Sequence, residues 1–238
     1  MTTNSVCFPQ HERFTRFFYF QENPKYKKSL ARVHHNIAYS YRQQKDFEKS
    51  EQYFLEAIRL REEIREKNPA SVELHLSGSY YSLGYLYKND YFNPKKALEA
   101  FEASKKIRIL LRKRSSVYAD ELRNIFLAII YSDNIISDEE KKEYRLEYLN
   151  ILDTLPELTA KERREMCEEG HWLAYDLYSD GRYEKALKLA VQSIDIYLAE
   201  GTDDWYVSLG EDDKDLLKNL CTALDKPEIY EEYSKKIG

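Results

Sequence analysis

Large apolar and small residues recur along this chain at helical spacing, and they recur in blocks. Four stretches align on one pattern: HHNIAYSY (34–41), YYSLGYLY (80–87), NIFLAIIY (124–131) and GHWLAYDL (170–177). Each sets a large apolar residue beside a small one, with an aromatic residue or Leu three positions on. The pairs are Ile37-Ala38, Leu83-Gly84, Leu127-Ala128 and Leu173-Ala174, spaced 46, 44 and 46 residues apart. Pro24 and Pro69, each preceded by Asn, lie 45 apart and mark the same period. Each block has a second half after a short polar turn. It carries Phe54 and Ala57 in the first block, Ala97, Phe101 and Ser104 in the second, and Tyr183, Ala186, Ala190 and Ser193 in the fourth. These fall at i, i+4, i+7, one face of an α-helix. Asp, Asn, Gly and Pro in the turns stop one helix and start the next. The pattern predicts pairs of antiparallel helices over about 25–67, 71–114, 117–153 and 160–200.

A helix pair of this kind cannot bury its apolar face alone, so at least three must stack. The small residue lets two backbones approach, and the aromatic one turn on fills the gap beside it. Gly84 is therefore expected to refuse a large side chain but to accept Ala, since Ala38, Ala128 and Ala174 occupy the matching positions. The fold class is all-α: an α-solenoid of stacked antiparallel helix pairs over 23–200, with helical caps. Residues 1–22 read as the N-terminal segment or cap and 201–238 as C-terminal capping helices.

The best block, with Tyr80, Leu83, Gly84, Tyr87, Ala97, Phe101 and Ser104, resembles the tetratricopeptide repeat, with one residue inserted in its turn. The period of about 45 exceeds the usual 34, and the Asn-Pro openings make it similar to the extended repeats of kinesin light chains and many bacterial tetratricopeptide proteins. The resemblance covers roughly residues 20–200. The third block departs from it, since the helical run at Asp138 to Tyr148 lacks the Ala signature. The resemblance implies a tetratricopeptide-like superhelix and a non-enzymatic scaffold that binds a peptide or protein segment in its concave groove. A second implication is a regulatory sensor that binds a small peptide or ligand and relays it to a partner.

In such stacks the groove is lined by the arc of each first helix opposite the packing face. Here that arc holds His35, Asn36, Tyr39, Tyr81, Tyr85, Phe126, His171, Trp172 and Tyr175. A solvated face is mostly polar, and this one is aromatic. Tyr and Trp combine apolar area with a polar tip at low entropy cost, which suits a binding groove. Equally, the arc could be covered by neighbouring or C-terminal helices. The family's clamp for acidic C-terminal tails of chaperones needs Lys and Asn on this face; only Asn36 matches, which disfavours that ligand class. Asn36 also matches the asparagine by which light-chain repeats hold a cargo backbone.

Composition removes other classes. The chain has 238 residues, 33% charged and 42% hydrophobic, with 21 Tyr but only 7 Gly and 6 Pro. A net charge of −5 gives no global basic footprint for nucleic acid or anionic membrane. One basic run, KKIRILLRKR, supplies Lys105, Lys106, Arg108, Arg112, Lys113 and Arg114 as a candidate phosphate or acidic-peptide patch. The alternative is a solvated helix end that complements the macrodipole. No stacking aromatic interleaves the run, which disfavours nucleic acid. Phosphate-loop, dinucleotide, zinc-protease and serine-hydrolase motifs are missing, and adjacent His34 and His35 diverge by about 100° on a helix. No enzyme, cofactor or metal is expected. Three scattered cysteines, no signal-like start and no long apolar run point to a cytoplasmic protein without a membrane partner.

Overall fold

The computed structural model describes residues 24–132, 135–200 and 211–237. Among them are ten α-helices: α1 (Pro24–Gln43), α2 (Phe47–Lys67), α3 (Glu73–Asn89), α4 (Pro94–Arg114), α5 (Ala119–Ile130), α6 (Asp138–Asp153), α7 (Ala160–Ser179), α8 (Tyr183–Glu200), α9 (Glu211–Ala223) and α10 (Pro227–Ile237). No strand occurs among the described residues. They fall into two compact units, divided between Leu111 and Arg112 in the last turn of α4. The expected N-terminal cap over 1–22 lies outside the described residues.

The helices begin and end where local chemistry dictates. Asp46 caps α2 by accepting from the Lys49 backbone at 3.2 Å, and Asn93 accepts from Lys96 N at 3.1 Å ahead of Pro94. Ser137 with Glu140, and Thr159 with Glu162, form reciprocal capping boxes at the starts of α6 and α7. Four turns share one device. Lys45, Phe92, Gly181 and Asp225 take a left-handed φ of 62°, 51°, 74° and 54°. The next amide reaches back over the helix end: Asp46 N to Tyr41 O, Arg182 N to Leu177 O and Lys226 N to Cys221 O all span five residues. Asn93 N to Tyr87 O spans six, which is the inserted residue of the second pair. The last pair, α9 and α10, thus turns like the others although its sequence signature has faded.

In the first unit, Ala31, Ala38, Phe54 and Ala57 between α1 and α2, and Leu76, Ala97 and Phe101 between α3 and α4, are inaccessible to solvent. The small residues admit close backbones, and serines tie them. Ser50 Oγ donates to Ala38 O at 2.9 Å and Ser104 Oγ to Ser77 O at 2.9 Å. In the second unit Ser193 Oγ donates to Cys167 O at 3.0 Å, the same tie between α8 and α7. Gly84 corrects the expectation that Ala would be accepted. A Cβ there would lie 2.5 Å from both Cδ1 and Cε1 of Phe101, a fully buried ring that would have to shift. The second helix pair packs one methyl group closer than its neighbours do.

Candidate functional site

In the first unit, α1 and α3 present side chains to a common face. His35 Nδ1 lies 3.0 Å from Ser79 Oγ, and Arg42 Nε donates to Asp90 Oδ2 at 2.5 Å, so the two helices are pinned at mid-length and at their C-terminal ends. Between the pins, Tyr39 is 44% exposed and rests edge-on against buried Phe54, with ring centroids 5.9 Å apart. Asn36 is exposed one turn before Ser40. Tyr81 and Tyr85 are half-buried, meet edge to face at 4.9 Å, and share a hydroxyl contact of 3.4 Å. Tyr85 also stands edge-on to Phe101 at 5.3 Å. The Arg108 guanidinium lies 4.4 Å over the Tyr81 ring, and Lys88 5.7 Å from the Tyr85 centroid. Four predicted residues, His35, Tyr39, Tyr81 and Tyr85, are thereby held by the core phenylalanines beneath them, with Asn36 exposed beside them on α1.

His35 is electrostatically unusual. Burial first, then the nearby Arg61 and His75, lower its pKa from 6.5 to about 4. Arg61 donates to Ser79 Oγ, the same hydroxyl that His35 Nδ1 meets. The lowered pKa keeps the ring neutral at neutral pH.

The second unit carries a smaller aromatic group on α7. Trp172 is 63% exposed, with His171 edge-on to it at 4.9 Å and to half-buried Tyr175 at 5.2 Å. Phe126 does not belong to any open face. It is 1% exposed and lies against Tyr148 of α6 at 5.0 Å. Leu122, Ile125 and Ile129 on the same face of α5 are buried as well, and so are Ala128 and Ile130. The arc expected to face a groove is thus the buried face of this amphipathic helix, and the third block's arc is filled.

The match to known families now bears on α1 and α2. Residues 31–64 match the family model of the tetratricopeptide repeat. This helix pair is a tetratricopeptide repeat. No curated protein matches the chain. Solved structures similar to it include the crystal structure of BtubC (BKLC) from P. vanneervenii, with 20% identity over 95% of this chain and 85% of that one, and a TM-score of 0.43. Another is a putative kinesin light chain of Podosopora anserina with nearly identical tetratricopeptide-like repeats. It shows 16% identity over 91% and 95% of the two chains, and a TM-score of 0.37. Tetratricopeptide repeats generally mediate protein–protein interaction.

The predicted basic patch does not exist as one surface. Lys105, Arg108 and Arg112 are buried, because positions i, i+3 and i+7 of α4 share its packing face. Lys105 pairs with Glu102 at 2.8 Å, Arg108 covers Tyr81, and Arg112 meets Glu162 in a bidentate pair at 2.7 Å. Lys106, Lys113 and Arg114 are exposed. Lys106 lines a cleft of about 580 Å³ between α2 and α4, with Glu62, Tyr80, Leu98, Ile107 and Leu110, away from the tyrosine face. Among the described residues no cluster of His, Cys, Asp or Glu is placed to hold a metal, and no helix is long and apolar enough to cross a membrane.

Proposed function

We propose that the first unit binds a segment of another protein across the face of α1 and α3, and that the protein is a non-enzymatic cytoplasmic scaffold. The observation behind this reading is the combination of exposure and fixation: Tyr39 is open, Tyr81 and Tyr85 are half open, and all three rings stand on buried Phe54 or Phe101. Aromatic side chains fixed before binding lose little entropy on contact, which is how interface anchors concentrate affinity. Asn36 on the same face offers an amide to a partner backbone. The Trp172 group of the second unit is a separate aromatic patch for the same kind of contact.

The experiment pairs melting curves with capture of partners from cytosol by the full chain. Tyr39→Ala should leave stability within about 0.5 kcal/mol, as surface changes do, and weaken capture by about 1–2 kcal/mol, or some tenfold. Tyr39→Ala that binds normally, or that melts with a core-sized loss of roughly 3–5 kcal/mol, overturns the reading.

A further inference from the structure

Arg61 on α2 is 5% exposed, and no carboxylate among the described residues pairs with it. One of its terminal nitrogens, Nη1, donates to His75 O at 2.7 Å and to Ser79 Oγ. The opposite edge of the guanidinium, Nε and Nη2, has no protein partner among the described residues. Burying a guanidinium without a counter-charge is costly, and desolvation pulls its pKa down to about 10, so it stays charged at neutral pH. Arg61 lines a pocket of about 240 Å³ whose other walls are Lys28, Ser29, Arg32, Val72 and His75. Every ionisable group in that lining is basic.

The placement of α1 strengthens the point. Its first nine residues, PKYKKSLAR, carry Lys25, Lys27, Lys28 and Arg32 and no acid. The positive end of a helix dipole favours anions, so cations there work against the local field. An anion in the pocket would relieve both conflicts.

We propose that this pocket is a binding site for a phosphate group, held bidentately by the Nε–Nη2 edge of Arg61 and flanked by Lys28 and Arg32. A dianionic phosphate fits better than a carboxylate, since three cations converge and the planar fork of Arg matches two phosphate oxygens. Ser29 and His75 add polar contacts at the rim. The phosphate can come free in solution or on a phosphorylated side chain of a protein; the chemistry at the pocket is the same. The site adjoins His35, which shares Ser79 with Arg61, but Tyr39 does not line it, and Tyr39→Ala should leave it untouched.

Calorimetric titration of the full chain at about 0.3 M salt, where attraction between exposed charges is screened, tests the site. The probes are inorganic phosphate, a short phosphoserine peptide, its unphosphorylated form and acetate. The expected result is saturable one-site binding of phosphate or phosphopeptide, weakened about tenfold or more in Arg61→Gln and several-fold in Arg32→Gln and Lys28→Gln. Lys113→Gln, an exposed cation of the other unit, should bind like the parent. Phosphopeptide tighter than inorganic phosphate assigns a phosphorylated protein segment; equal affinities assign free phosphate. Should Arg61→Gln fail to fold, the two exposed α1 cations carry the test alone. Equal responses to phosphate and acetate, or unchanged affinity in both Arg32→Gln and Lys28→Gln, overturn the proposal.

Discussion

Arg61 in the first unit and Arg112 in the second are both buried, and the two could hardly be housed more differently. Arg112, in the second unit, is 3% exposed, and both oxygens of Glu162 accept from it at 2.7 Å, while Glu157 O takes a third bond. Those hydrogen bonds outweigh burial and raise its pKa above the ordinary arginine value. Arg61, in the first unit, is as deeply buried with only neutral partners, and burial lowers its pKa. His35 beside it is held neutral first by burial and then by the same positive charge. Arg112 is closed by a carboxylate, and Arg61 is left open. A satisfied buried pair is a clasp; an unsatisfied one is a receptor or a liability. Because both tryptophans, Trp172 and Trp205, fall after residue 111, intrinsic fluorescence reports on the second unit while circular dichroism reports on both.

The strongest way to break this contrast is to open the closed arginine. Glu162→Gln strips the counter-charge from Arg112 and should cost about 3–5 kcal/mol in the fluorescence-monitored melt. A loss under about 1 kcal/mol would mean that water already screens the pair. Acid should act the same way. Burial pushes the Glu162 carboxyl up, but its bonds from Arg112 and Thr159 hold it below the ordinary value. Its contribution is thus complete above the unfolded pKa near 4.5 and lost as pH falls through the lower folded value.

Next in size is packing. Gly84→Ala drives a methyl group into the Phe101 ring and should cost roughly 1–3 kcal/mol, with Gly84→Leu worse. Gly170→Ala, a close approach in the second unit four residues before the matching Ala174, meets Ser193 Oγ at 2.7 Å, a single atom that can swing away by giving up its bond to Cys167 O. It should cost less, and equal losses would show that the two interfaces are equally tight.

A smaller effect separates the units by pH. His35 resists protonation until about pH 4 when folded but gains a proton near 6.5 when unfolded. The first unit should therefore lose stability as pH falls from about 6.5 to about 4. A fully buried shift of this size is worth about 3 kcal/mol; discounted for the half-exposed ring it is about 1–2 kcal/mol. The loss should show in circular dichroism melts and vanish in His35→Gln. Persistence in that variant would assign it to His75, whose pKa is also lowered, first by burial and then by Arg61, Lys28 and Arg32.

The smallest change sharpens the contrast most. Arg61→Met removes an uncompensated buried cation and should be within about 1 kcal/mol of neutral, or stabilising. Arg112→Met strands Glu162 and should not be. Similar large losses in both would erase the distinction between clasp and receptor.

The helical period, the 45-residue repeat and the turn residues are all local, and the chain displays them openly. Ile37-Ala38 and Leu83-Gly84 marked the packing faces, and even the inserted residue before Pro94 was countable in the sequence. Tyr39, Tyr81 and Tyr85 could be placed on one face because helical geometry fixes which residues share an arc. The degree of cover on that arc was not legible. Phe126 and Tyr39 occupy related positions, yet one is sealed and the other open, because cover is supplied by elements distant in the chain. The basic run 105–114 looked like a surface for the same reason: a list of cations does not say which of them find a buried carboxylate. Nor does it say which finds none, as Arg61 does. Periodicity and turn chemistry are properties of neighbours along the backbone, so the sequence by itself determined the helices and their pairing. Burial, methyl-scale clearance at Gly84 and the balance of buried charge depend on atoms 14 to 50 residues away, as the bonds of Arg61 and Arg112 show, and only the tertiary structure decided them.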